Sequence, residues 1–197
     1  MTLPNPILPR TLAAVLLALA TGVAMAGDVK LPELMQLLAQ QKSGKASFVE
    51  KKYIGIVDKP VESSGELAFT APNKLEKRTL KPALESLVLE GDSLTIDQAD
   101  KRRFTVSLQE HPEVSAFVES IRGTLAGDRT ALEKYYTVAV TGPMEKWQLQ
   151  LIPTQARMAQ VISRIRINGA HASVKTIEFE QADGDRSEMF ITGTVAK

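Results

Sequence analysis

Cysteine is absent from the 197 residues. That excludes disulfides, thiol catalysis, thiolate metal sites and an N-terminal lipid attachment point. A basic excess is also lacking. Arg10 is the only charge before residue 27, so removing it from the 24 Lys and Arg leaves 23, which match the 23 Asp and Glu. A nucleic-acid partner would ordinarily show a basic excess or patch, so none is expected. Histidine is scarce: His111 adjoins a proline and His171 lies near a turn, with no H-x-x-x-H spacing to hold a metal. No serine lies in a nucleophile context, and no phosphate loop or dinucleotide fingerprint is present. Carboxylates are spread along solvent faces. Glu50, which interrupts an aromatic and aliphatic stretch, reads as a solvated strand position rather than a general base. Enzymatic chemistry therefore has no support, and neither metal nor cofactor is expected.

What is present begins with an export signal. Arg10 precedes an apolar run over 11–20, and Ala24-Met25-Ala26 has the small-x-small form of a signal-peptidase site. The apolar stretch falls short of the roughly 20 residues a spanning helix needs. Residues 1–26 read as a cleaved signal peptide and 27–197 as one domain, a soluble exported protein that is most simply periplasmic. With 44% hydrophobic residues, that domain has ample material for a core.

Leu31, Leu34 and Leu37 or Leu38 lie at helical spacing, with Asp28 as a candidate cap, and predict an amphipathic first helix within 28–42. Strands follow over 46–56, 61–70, 74–80, 84–90, 93–97 and 103–108. The period then changes: Val114, Phe117, Val118, Ile121 and Leu125 form one stripe of a helix over 112–126, ended by Gly127, and Asp128 caps a shorter helix over 129–134. Strands resume over 135–140, 146–152, 160–167, 173–181 and 186–192. Gly142-Pro143, Asn168-Gly169 and Asp183-Gly184 are the turn signals. Val161, Ile165 and Ile167 share one face, and Ile162, Arg164 and Arg166 the other. The sum is an α+β domain: a strongly curved antiparallel sheet of about 11 strands with helices against its concave side. Such a sheet either packs solid or encloses a cavity for a hydrophobic ligand, and periodicity does not separate the two.

Four segments resemble the LolA family, periplasmic carriers of lipoproteins from the inner to the outer membrane. Ala46-Ser-Phe-Val-Glu50 is similar to the family's A-S-F-x-Q, and Ser64-Gly-Glu-Leu-Ala-Phe-Thr-Ala-Pro-Asn73 to its G-x-L-x-x-x-R-P-N. Leu89-Glu-Gly-Asp-Ser-Leu-Thr-Ile96 resembles V-S-D-G-x-x-L-W, and residues 125–136 resemble the L-x-G-D-x-x-x-L-x-x-x-F segment after the lid helix. The resemblance implies an incomplete β-barrel with a helical lid over a hydrophobic cavity that shelters acyl chains. It places in the cavity Phe48, Leu67, Phe69 and Leu75 from the early strands, and Leu87, Leu89, Leu94 and Ile96 from the next hairpin. Phe117, Ile121 and Leu125 come from the lid, and Trp147, Leu149 and Ile165 from later strands. The implied partners are an acylated lipoprotein or lipid cargo, an inner-membrane donor and an outer-membrane acceptor, for a monomeric carrier without catalytic groups. A sensor of lipidated ligands, like the LolA-like domain of the stress regulator RseB, is the alternative, as is a carrier of a non-protein lipid or aryl-polyene cargo.

The departures point to a LolA-related paralogue. Ala71 stands where the family's carriers have an arginine that holds the lid closed. Glu76-Lys77-Arg78 occupies the arm where a tryptophan is common, and is expected to lie largely in solvent. The family's final F-x-P-P-x-G segment does not occur up to Lys197.

Overall fold

The structure is a computed structural model that describes residues 27–99 and 103–193, with the side chains of residues 112 and 113 excepted. The signal-peptide reading lies outside the described residues. Helix α1 (Leu31–Leu38) leads into six strands: β1 (Ser43–Tyr53), β2 (Val61–Thr70), β3 (Lys74–Lys81), β4 (Glu85–Glu90), β5 (Ser93–Gln98) and β6 (Phe104–Ser107). Helices α2 (Pro112–Ala126) and α3 (Arg129–Glu133) separate these from β7 (Tyr136–Thr141) and β8 (Trp147–Pro153). A short α4 (Ala156–Ala159) precedes β9 (Ile162–Ala170), β10 (Ser173–Gln181) and β11 (Arg186–Thr192).

All eleven strands form one antiparallel sheet in the order β6-β5-β4-β3-β2-β1-β11-β10-β9-β8-β7. Two meanders are thus stitched together by β1 and β11, where Phe48 lies opposite Ile191 and Glu50 opposite Met189. Strands β6 and β7 are the two edges, so the barrel is unclosed. The helices cover one face of the sheet.

Most of the β7–β11 half packs solid. Trp147, Leu149, Leu151, Ile165 and Ile167 are buried against Leu34 and Leu38 of α1, Leu132 of α3 and Met158 of α4. Fully burying each such side chain stabilises the fold by about 1.5–3 kcal/mol. The Trp147 indole N–H donates to the His171 carbonyl at 2.9 Å, which satisfies its one polar group.

Two local readings are corrected here. Asn168-Gly169 is not a turn: both residues lie inside β9, and the chain turns at His171, whose φ is 50°. Gly169 is required there because a Cβ would stand 2.2 Å from Cζ2 of Trp147, the ring that crosses it. Ile162 does not share a face with Arg164 and Arg166. A bulge between Glu180 and Gln181 in the β9–β10 ladder turns Ile162 inward, and it joins Ile165 and Ile167 in the core while Val161 is left exposed. The first helix is also shorter than its pattern. Asp28 does not cap it but accepts the Gly142 N–H at 3.1 Å.

Candidate functional site

Helix α2 begins at Pro112, where a missing N–H costs nothing, and ends at Gly127 in the left-handed region with φ 66°. Glycine is doubly required there, because a Cβ would stand 2.1 Å from the Met35 carbonyl oxygen of α1. One side of α2 is fixed. The buried Tyr136 hydroxyl donates to the Ala116 carbonyl at 2.9 Å, and burial pushes its phenol above the ordinary tyrosine range. On that side Ser120 and Thr124 donate to carbonyls one turn back, Phe117 at 2.7 Å and Ser120 at 2.6 Å, so no buried hydroxyl is left unsatisfied.

The opposite stripe of α2 does not pack solid. Between it and the sheet lies a cavity of about 270 Å³. Val114, Phe117, Val118, Ile121 and Leu125 form its roof, and Leu67, Phe69, Leu75, Leu87, Leu89 and Leu94 of β2–β5 its floor. Ala46 of β1, Ile177 of β10, Met189 and Ile191 of β11, and Leu38 of α1 complete the wall. Phe117 ties the roof to the solid half, its ring centroid 4.7 Å from that of Phe179.

Nine of the residues singled out from the sequence therefore surround one space: Leu67, Phe69, Leu75, Leu87, Leu89, Leu94, Phe117, Ile121 and Leu125. The other five lie elsewhere. Phe48, Trp147, Leu149 and Ile165 are packed into the solid core, and Ile96, opposite Leu87 and Phe104, sits beyond the wall. Ile177, Met189 and Ile191 were missed. Their inward alternation was visible, but that β11 returns to β1 was not.

Two acid and base readings are overturned. Glu50 is not solvated: it is 5% exposed and faces the barrel interior. Lys77 is not in solvent either, because it lies opposite Leu67 and Leu87 on the cavity side of the sheet and forms part of the wall. Its ammonium donates to Glu50 Oε2 at 2.6 Å and lies 4.9 Å from the Phe48 ring centroid. Ser187 donates to the other carboxylate oxygen at 2.6 Å. Burial alone would raise the Glu50 carboxyl. The Lys77 charge, the hydrogen bonds from Lys77 and Ser187, and more distant Lys52 outweigh it and hold the group below its ordinary range.

The roof is clasped to the rim of the β4–β5 hairpin. Arg122 of α2 donates to the Gly91 carbonyl at 2.7 Å, and its guanidinium is also forked onto Glu119 one turn back. Next to it the Leu108 N–H donates to the Asp92 carbonyl at 2.8 Å, and Gln109 donates to the Asp92 carboxylate at 3.0 Å. Ala71 takes no part in this clasp; its N–H donates to Lys42 at 2.8 Å. Among the described residues no group of three His, Asp or Glu stands close enough to hold a metal ion.

Residues 22–197 match the family model described as "Outer membrane lipoprotein carrier protein LolA-like". The chain belongs to this LolA-like family. A curated relative, the outer-membrane lipoprotein carrier protein of Dechloromonas aromatica (strain RCB), is 27% identical over 139 residues, 71% of this chain. The match spans 64% of that relative's length. Among solved structures, a LolA superfamily protein from Nitrosomonas europaea is similar at a TM-score of 0.45 and 10% identity, over 86% of this chain and 94% of that one. The Pseudomonas aeruginosa MucA/MucB complex contains a chain similar at a TM-score of 0.48 and 14% identity, over 86% of this chain and 59% of that one. In this chain Arg122, on the helix, bridges α2 and the sheet rim.

Proposed function

We propose that this chain is a non-enzymatic carrier that shelters the acyl chains of an exported lipoprotein, or of a related amphiphile, across the periplasm. The observation that carries the proposal is the cavity of about 270 Å³ kept open under α2 by an otherwise well-packed domain. Protein interiors hold few voids larger than a water molecule. The walls of this one are almost wholly apolar, so a hydrocarbon that fills it replaces water with close contacts. Each sheltered methylene adds about 0.8 kcal/mol that exposure to water would cost.

The volume lies just below the ~300–1,000 Å³ of ordinary ligand pockets, enough for part of one chain. Larger cargo requires α2 to lift from the β4–β5 rim, where Arg122 holds it. Replacing Arg122 by Ala, with Glu119→Gln so that no buried carboxylate is stranded, removes a charge-assisted bond worth about 1.5–3 kcal/mol. Release of a bound fluorescent fatty acid, followed by stopped flow, should accelerate about ten-fold or more; release as slow as in the parent would remove Arg122 from the gating of the cavity.

The reading as a whole is tested by native mass spectrometry and lipid extraction of protein purified from periplasm. An acylated protein in the bound fraction supports lipoprotein cargo, and a free lipid or pigment supports a non-protein amphiphile. If nothing acylated co-purifies and fatty-acid probes do not bind, the carrier reading is abandoned.

A further inference from the structure

We propose that Lys77 is the head-group anchor of this cavity, so that the cargo is an amphiphile whose oxygen acceptor, next to the acyl chain, is set on the Lys77 ammonium. The inference rests on the carrier reading and specifies the ligand's chemistry and orientation.

Along the concave face the sheet changes character rung by rung. Phe69, Leu75 and Leu89 lie opposite one another beneath α2 and are apolar. One rung further from the β2–β3 turn, Lys77 stands between Leu67 and Leu87. On β3–β5 the next rung is polar: Thr79 lies opposite Glu85, and Gln98 donates to the Glu85 carboxylate, whereas toward β1 the same rung runs from Gly65 to Phe48. On the β3–β5 side Lys77 is therefore the border between the part of the face that hydrocarbon can cover and the part that it cannot.

The chemistry at that border is one-sided. The wall around Lys77 is built largely of aliphatic side chains, and the lysine supplies an ammonium with three protons. One proton goes to Glu50, and no second acceptor for Lys77 is present among the described residues. Glu50 lies behind it, only 6% exposed at the side chain and engaged by Ser187 as well, whereas the Lys77 side chain is 23% exposed. A group arriving in the cavity meets the ammonium, not the carboxylate. Pure hydrocarbon laid over it would strip water from the remaining protons and return nothing. A ligand oxygen there replaces the lost water. This fixes the orientation: the chain lies over Phe69, Leu75 and Leu89 under α2, and the head points toward Thr79 and Gln98.

The experiment uses the mature protein loaded with diphenylhexatriene, a headless fluorescent probe, and displaces it with ligands of one chain length. These are hexadecanoate, methyl hexadecanoate and hexadecyltrimethylammonium, each below its micelle concentration. Hexadecanoate is expected to displace the probe at least ten-fold better than the quaternary ammonium. Equal displacement by the two overturns the assignment of Lys77 while leaving the carrier reading standing, and failure of every ligand and of the probe to bind overturns the carrier reading itself. Methyl hexadecanoate tells the acceptor sources apart: parity with hexadecanoate means an ester or amide carbonyl suffices, as on a lipid-modified peptide, and weaker displacement means the head must be anionic. In Lys77→Met combined with Glu50→Gln, which removes both charges together, the ratio between the two charged heads should collapse to within about two-fold; a preserved ten-fold ratio places the anchor elsewhere.

Discussion

Phe117→Asp is expected to abolish the binding of fluorescent fatty-acid probes while the sheet remains folded. Phe117 sits in the middle of the α2 stripe, touches Phe179 in the solid half and roofs the cavity above Leu75 and Leu89. An ionised carboxylate there would stand over the apolar Leu75 and Leu89, so hydrocarbon entering the cavity would have to desolvate it, at a cost of several kcal/mol. A loss of about 3 kcal/mol lowers affinity by more than a hundred-fold. The back of α2 keeps its own anchors, the Tyr136 hydroxyl on Ala116 and the Gly127 contact with α1, so the helix stays in place. The check is a probe titration beside far-ultraviolet circular dichroism. Undiminished binding with an intact spectrum would mean that α2 does not roof the ligand site.

The second large effect concerns stability. Lys77→Met strands the Glu50 carboxylate in the barrel, and removing one partner of a buried pair costs about 3–5 kcal/mol. In a domain of this size that lowers the thermal midpoint by about 10 °C at pH 7. The pH dependence should also invert. In the parent, Glu50 lies below the ordinary carboxylate range, so its stabilisation is present above that range and is lost as the pH falls through the depressed folded value. In Lys77→Met burial is no longer opposed by the lysine and the folded carboxyl shifts upward. The penalty then grows as the pH climbs through the shifted value, and part of the lost midpoint returns near pH 4. Adding Glu50→Gln should restore most of the midpoint at pH 7. Thermal melts of both variants at pH 4 and 7 decide it. A Lys77→Met midpoint equal to the parent's at both pH values would mean that the pair contributes nothing to the fold.

The strand and helix boundaries were legible wherever one face repeats without interruption. β2, β10, β11 and α2 run over the residues that alternation or helical spacing assigns them. Reading failed where a tertiary neighbour overrode a local signal: Asn168-Gly169 looks like a turn until Trp147 lies across the glycine, and Ile162 looks outward until a bulge turns it. The cavity residues show the same division. Leu67 to Leu94 and the α2 stripe were recognisable as one-faced segments, but Phe48, Trp147, Leu149 and Ile165 carry an identical inward pattern and fill a solid core. Alternation reports which face is buried and not whether a side chain or empty space lies opposite.

By itself the sequence determined the class of fold: its order of strands and helices reads as a strongly curved antiparallel sheet with helices against the concave side, and its motifs resemble a family of unclosed barrels with a helical lid. Only the tertiary structure decided where that cover fails to fill the barrel and what stands at the edge of the gap. Glu50 and Lys77 are separated by 27 positions and read individually as solvated charges, yet the β1–β2–β3 register sets both on the cavity side of the sheet. Arg122 likewise gains its partner only in the fold, which brings the Gly91 carbonyl to 2.7 Å. The reason is physical. Burial periodicity is encoded within a single element, whereas ion pairs and voids depend on how elements are spaced across the barrel, which no single element specifies.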